Sequence, residues 1–216
     1  MRIFYTSVSD MDDELYSMAL SIIRRERREK AERIKIRQEK KRVIAAGLLL
    51  NYATGICKNS ESGVHIEEIK IKELIGKYNQ NYDYEIITLK NGKPIFKDKD
   101  IYFNLSHSGE YAVCVISSKP VGIDIEGDKI IKDSIIDRFF LEKEKQWILE
   151  NEKEKRARFF KVWTFKEAYG KATGEGVAAI IKKVDYIEYR NASIIDIFET
   201  QLSDYCLCCV ELNNFK

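Results

Sequence analysis

The sequence predicts a mixed α+β fold. Short runs rich in Val, Ile and Tyr, such as Tyr111 to Ser117 and Tyr205 to Leu212, read as strands. Longer stretches, such as the one from about Glu154 to Lys171, read as helices. Each half runs helix first and strands after, which suits two lobes, expected at 1–103 and 104–216, the second carrying a pair of acids described below. A chain of 216 residues is long enough for one large domain or two small ones with a sizeable core.

Taken in order, Met1 to Ser7 is expected as a first strand. Ser9 or Asp10 suits the cap of a helix from near Met11, with Leu15, Met18, Ile22 and Ile23 as its apolar stripe. Arg24 to Arg42 holds eleven Lys and Arg against four Glu, a net of +7 (11 − 4) in a chain whose total is only +2. Such a segment suits a solvated helix face or a surface for nucleic acid, membrane or a phosphate-rich ligand. A second helix is expected from Arg37 to Gly55, with Arg42 set where the apolar face begins. Glu67 to Ile75 suits a short helix. Tyr84 to Lys90 alternates like a strand, Asn91-Gly92 signals a hairpin, and Ile101 to Leu105 reads as another strand. Helices are expected at Asp133 to Phe140, Glu142 to Glu150 and Glu154 to Lys171. Val184 to Arg190, Ile194 to Phe198 and Tyr205 to Leu212 are expected as closing strands.

With 33% charged and 44% apolar residues and no apolar run of about 18, a membrane-spanning helix is not expected. The first residues lack a signal-peptide pattern, so the expected compartment is the cytoplasm. Five cysteines, Cys57, Cys114, Cys206, Cys208 and Cys209, do not form a disulfide framework by their number or setting. The cluster at 206–209 lacks a second Cys/His pair at zinc spacing and reads as a core strand.

Three constellations carry chemistry. In Val121-Gly122-Ile123-Asp124-Ile125-Glu126, a strand would place Asp124 and Glu126 on one face, about 6.7 Å apart along the chain, and the isoleucines on the other. The pair suits a magnesium seat, and equally a solvated edge strand. Phe103-Asn104-Leu105-Ser106-His107-Ser108-Gly109 reads as a strand ending in a phosphate-binding turn, or as an ordinary Ser/Gly turn. In Trp163-Thr164-Phe165-Lys166-Glu167-Ala168-Tyr169-Gly170-Lys171, a carboxylate sits on an aromatic helix, with Lys171 four residues on. Burying Glu167 is costly without a partner, so a metal or a proton-transfer role suits it better than an ion pair worth about 0.3–0.5 kcal/mol. Together these features point to magnesium-assisted chemistry at a phosphate ester.

These three motifs, with Gly92-Lys93-Pro94 and Arg138-Phe139-Phe140, resemble the phosphopantetheinyl transferases, in the larger, surfactin-synthetase-activating type. Each motif alone is weak, whereas all five in this order are specific. The resemblance implies two similar α/β lobes related by a pseudo-twofold, with coenzyme A between them. It implies transfer of the phosphopantetheine arm to a serine of an acyl or peptidyl carrier protein, with release of 3′,5′-ADP. Asp124, Glu126 and Glu167 match the family's magnesium ligands, and Glu167 also the group that activates the carrier serine. Lys171 matches the lysine at the pyrophosphate. Ser106 and His107 match contacts to the nucleotide end, His107 near the 3′-phosphate, and Lys93, beside Pro94, the lysine at the adenine. Lys30 and Arg42 are candidate phosphate anchors. A departure is Tyr169-Gly170, where the family has bulkier apolar residues. A monomer is expected, with no nucleic acid and no membrane as partners. Two rivals stand beside it: a magnesium-dependent phosphodiesterase that uses the same three acids with water as nucleophile, and a nucleic-acid-binding module built on 24–42, in which those acids have no task.

Overall fold

In the computed structural model, residues 1–56, 63–80, 84–97, 100–127, 130–192 and 195–213 are described. Cys57 and the expected strand start at Ile194 lie outside them. The first half holds β1 (Arg2–Ser7), α1 (Asp13–Ile22), α2 (Arg25–Glu32), α3 (Arg37–Ile56), β2 (His65–Glu68), α4 (Ile71–Gly76), β3 (Ile86–Thr88), β4 (Pro94–Phe96), β5 (Tyr102–Ser108) and β6 (Tyr111–Ser117). The second half holds β7 (Val121–Gly127), α5 (Asp133–Phe139), α6 (Glu142–Leu149), α7 (Lys155–Thr173), α8 (Val177–Ile180), α9 (Tyr186–Asn191), β8 (Ile195–Leu202) and β9 (Tyr205–Leu212).

Among the described residues the strands form three sheets, ordered β2-β1-β6-β5, β3-β4 and β7-β9-β8. In the first, β1 runs parallel to β2 and antiparallel to β6. The expected boundary at 103/104 falls inside β5, and its sheet continues through β6 to Ser117.

Side-chain alternation decides what each face does. On β7, Val121, Ile123 and Ile125 are buried and pack with Ile3, Val113, Val115, Leu207 and Cys209. This apolar layer joins the sheet of β1 and β6 to the sheet of β7 and β9. The other face of the first sheet is covered by α3, whose Ile44, Leu48 and Leu49 pack with Phe4 and Phe103. The second sheet is covered by α7, whose Phe160, Val162 and Phe165 pack with Cys206, Cys208 and Val210. Cys114, Cys206, Cys208 and Cys209 are thus buried as small apolar residues, and burial pushes the Cys206 thiol up to about 11.

Two glycines set how closely α7 packs. A Cβ at Gly122 would stand 2.0 Å from the Ala168 carbonyl oxygen and 2.5 Å from the Ala172 nitrogen, so β7 and α7 touch backbone to backbone. A Cβ at Gly170 would stand 2.9 Å from the Val177 nitrogen, which explains why a bulkier residue is missing there. Gly170 does not end α7. The helix runs to Thr173 and is capped by Gly174 at φ 79°.

Several expectations are corrected. Residues 184–190 are not a strand, because Asp185 accepts hydrogen bonds from the backbone nitrogens of Ile187 (2.8 Å) and Glu188 (3.4 Å) and caps α9 instead. The cap of α1 is Asp12, which accepts from the Leu15 nitrogen, rather than Ser9 or Asp10. Residues 67–68 end the exposed strand β2, and the helix begins only at Ile71. Residues 102–108 pair with β6 along their whole length, so Ser106 and His107 belong to a strand and not to a turn.

Lys166 and Glu144 are both fully buried, with 2.9 Å between Nζ and Oε2. Lys166 also donates to the carbonyls of Ile181 (2.5 Å) and Val184 (2.8 Å). Glu144 accepts from the backbone nitrogens of Leu141 and Tyr186. One ion pair therefore ties α7 to the starts of α6 and α9. Lys166→Met strands the Glu144 charge in the core and is expected to cost about 3–5 kcal/mol. Urea denaturation measures this, and a loss below about 1 kcal/mol contradicts the assignment.

Candidate active site

The candidate site lies where Lys171 of α7, bonded to Asp124 of β7, meets a cleft lined by basic residues of α2 and of the turn before β4. Asp124 is only 4% exposed. Its Oδ1 accepts from Ser106 Oγ at 2.8 Å and from Lys171 Nζ at 2.6 Å. Lys171 Nζ also donates to the Ile123 carbonyl and to Ser106 Oγ, each at 3.2 Å. Burial pushes the Asp124 carboxyl up, against the pull of Lys171 and Ser106. Glu126 accepts from Ser108 Oγ at 2.8 Å. Glu167, half-buried, lies one helical turn before Lys171 on the same face of α7.

The basic residues begin on the opposite face of β5. Ser106 and Ser108 turn towards the acids, while His107 turns towards Arg42 and Lys30. Burial, then Arg42, Lys30 and Lys171, push the His107 imidazole down to about 4. Arg42 donates to the Gly109 carbonyl at 2.6 Å. Lys93 donates to the Ala172 carbonyl at 2.6 Å, and burial pushes its ammonium down to about 8. Neutral imidazole and partly desolvated cations around one cleft favour an anionic ligand with several phosphates.

The cleft encloses about 310 Å³, lined by Arg27, Lys30, Lys93, Pro94 and Lys171 among others. Arg27, Lys30, Gly92 and Pro94 are shared with an adjoining hollow of about 330 Å³, walled by Leu50, Tyr78, Tyr84 and Ile86. The residues singled out by sequence therefore meet here: Lys30, Lys93, Pro94 and Lys171 line the cleft, Asp124 and Ser106 touch Lys171, and His107 feels Arg42, Lys30 and Lys171. Sequence reasoning missed Arg27. Its signal was Gly47, where an added Cβ would stand 3.2 Å from Arg27 Cγ.

Among the described residues, no three His, Cys, Asp or Glu side chains are gathered closely enough to form a closed metal site. What fits magnesium is an open seat. Asp124 Oδ2 is buried and makes no hydrogen bond, and Glu126 lies two residues on along the same face of β7. Magnesium keeps several water and phosphate oxygens in its shell, so one or two carboxylates suffice to hold it.

The imidazole gives a pH test. The unfolded chain takes up this proton near pH 6.5, the folded chain only near 4. Between those values the unfolded state binds more protons, so stability rises with pH and falls as pH is lowered through the window. His107→Gln is expected to flatten the fall in melting temperature between about pH 6.5 and 4. Equal slopes in the two proteins contradict the assignment.

Residues 120–212 match the family model described as the 4′-phosphopantetheinyl transferase superfamily. That stretch carries Asp124, Glu126, Glu167 and Lys171. The chain is 38% identical over 130 residues to 4′-phosphopantetheinyl transferase gsp of Aneurinibacillus migulanus, covering 55% of this chain and 54% of the relative. It is 34% identical over 115 residues to 4′-phosphopantetheinyl transferase Sfp of Bacillus subtilis, covering 51% of each. It is 32% identical over 148 residues to 4′-phosphopantetheinyl transferase HetI of a Nostoc species, covering 62% of this chain and 61% of the relative. The chain spans about half the length of the curated relatives it matches. In residues 120–212 and in the stretches shared with these relatives, the chain is thus similar to 4′-phosphopantetheinyl transferases.

Proposed function

We propose that this protein transfers the phosphopantetheine arm of coenzyme A to a serine of an acyl or peptidyl carrier protein. The observation that carries the reading is Lys171, held between the acids of β7 and a cleft lined with Arg27, Lys30 and Lys93. A diphosphate ester needs both, cations for its oxygens and acids for a metal and a proton.

In this reading the carrier serine oxygen attacks the β-phosphorus. A new P–O bond forms there, the bond to the bridging oxygen breaks, and 3′,5′-ADP leaves with that oxygen. Glu167 takes the serine proton, directly or through a water. Lys171 leaves Asp124 and takes a phosphate oxygen. Lys30, Arg42 and His107 hold the nucleotide end near the 3′-phosphate, Ser106 assists, and Lys93 with Pro94 borders the adenine. Asp124 and Glu126 would hold Mg²⁺, with Glu167 drawn in as the third carboxylate on binding, and the ion would supply charge neutralisation at the pyrophosphate.

The proposed architecture is two lobes about a pseudo-twofold with coenzyme A between them. Support comes from the repeated arrangement of one long helix on one sheet, α3 on the first and α7 on the last. Because β5 and β6 belong to the first sheet, the division proposed here follows β6. A cytoplasmic monomer that binds neither nucleic acid nor membrane completes the proposal. None of the described helices is long and apolar enough to cross a membrane.

Transfer is measured as 3′,5′-ADP release in the presence of apo carrier. Glu167→Gln is expected to lower the rate about 10²-fold or more with the fold intact. Lys171→Ala is expected to lower kcat more than it raises the KM for coenzyme A. A near-wild-type rate in Glu167→Gln contradicts both the metal and the base assignments. Release of 3′,5′-ADP without carrier favours the phosphodiesterase reading.

A further inference from the structure

Resting on the reading just given, we infer that Ser108 is a positioning residue that fixes the Glu126 carboxylate for the metal. β5 and β7 belong to different sheets. They are joined instead by three side chains at alternate positions of β5. Asn104 Oδ1 accepts from the Ile123 nitrogen at 3.1 Å, Ser106 Oγ donates to Asp124 Oδ1 at 2.8 Å, and Ser108 Oγ donates to Glu126 Oε2 at 2.8 Å. The period of two along both strands brings the rungs into register, so each of the two acids on β7 has its own serine.

The Ser108 rung is also shielded. Ser108 is 6% exposed and Tyr205 8%. Tyr205 lies against the glycines that follow both partners: a Cβ at Gly109 would stand 1.8 Å from its hydroxyl oxygen, and one at Gly127 would stand 2.9 Å from its Cδ1. Gly109 has φ +52°, and a Cβ at Gly127 would also stand 2.7 Å from the Asp204 carbonyl oxygen and 2.8 Å from the Tyr205 Cα, so neither position accepts a side chain. The ring therefore packs against the ends of both strands.

Glutamate has three side-chain torsions, and fixing them costs conformational entropy. A serine donor that holds Oε2 beforehand removes part of that cost from metal binding. Partners that orient a metal-ligating side chain typically change metal affinity by about 10–100-fold when removed. Ser106 is less informative, because its hydroxyl also meets Lys171.

The test is calorimetric titration of Mg²⁺ into the full chain pre-loaded with coenzyme A, for wild type, Ser108→Ala and Ser108→Thr. Ser108→Ala is expected to weaken Mg²⁺ binding about tenfold or more, with coenzyme A affinity in EDTA unchanged. Ser108→Thr keeps the hydroxyl and is expected to stay within about twofold of wild type. High Mg²⁺ is expected to restore transfer by the alanine variant, which a merely structural role for Ser108 would not produce. Wild-type Mg²⁺ affinity in a folded Ser108→Ala protein overturns the inference alone. A wild-type chain that neither binds Mg²⁺ nor transfers the arm overturns the functional reading and the inference with it.

Discussion

Lys171 reaches Asp124 because α7 lies directly on β7, and α7 lies there because position 122 carries no side chain. A methyl group at Gly122 would meet the Ala168 carbonyl at 2.0 Å, far inside any tolerable contact. Removing that close approach would move the helix outwards and with it Glu167 and Lys171. The ion pair of 2.6 Å and the serine contact both depend on this one backbone contact. The second anchor of α7, the buried Lys166–Glu144 pair, acts on the far side of the helix. Lys166 thus fixes the helix, while Glu167, the next residue, is the base in the proposed reaction.

The electrostatics of the cleft follow from burial more than from charge count. A total of +2 says nothing about function, yet His107 is driven to about 4 and Lys93 to about 8 because both are desolvated, His107 also because cations surround it. Such groups lose little further hydration when an anion arrives. Opposite them, Asp124 is kept in a buried site by a lysine and a serine. A polyphosphate entering the cleft competes with Asp124 for Lys171, and a cation beside the freed carboxylate would compensate it. Ligand and metal are coupled in this account through one lysine.

Much of this was legible in the sequence wherever a local pattern was strong. The alternation in 121–126 separated the acids from the isoleucines, and the structure buries Ile123 and Ile125 as that pattern requires. The aromatic residues of 159–165 identified α7 and its burial. The cysteines at 206–209 lie in a buried strand. Failures arose where one side chain outweighed a pattern. Val184 to Arg190 has strand-like composition, but Asp185 starts a helix by bonding two backbone nitrogens. All four residues of β2 are exposed, so it shows no apolar alternation. Ser106 and His107 looked like one polar cluster, but strand geometry sends them to opposite faces of β5. Arg27 is one arginine among many in sequence, and only the fold shows it packed on Gly47 and lining the cleft.

The most direct test of the account is the intact mass of an apo carrier protein incubated with this protein, coenzyme A and Mg²⁺, with an EDTA control. The account predicts a gain of one phosphopantetheine arm on the carrier serine, present with Mg²⁺ and absent with EDTA. An unchanged mass across fatty-acid, polyketide and peptide-synthetase carriers, with neither coenzyme A nor Mg²⁺ bound, would contradict it.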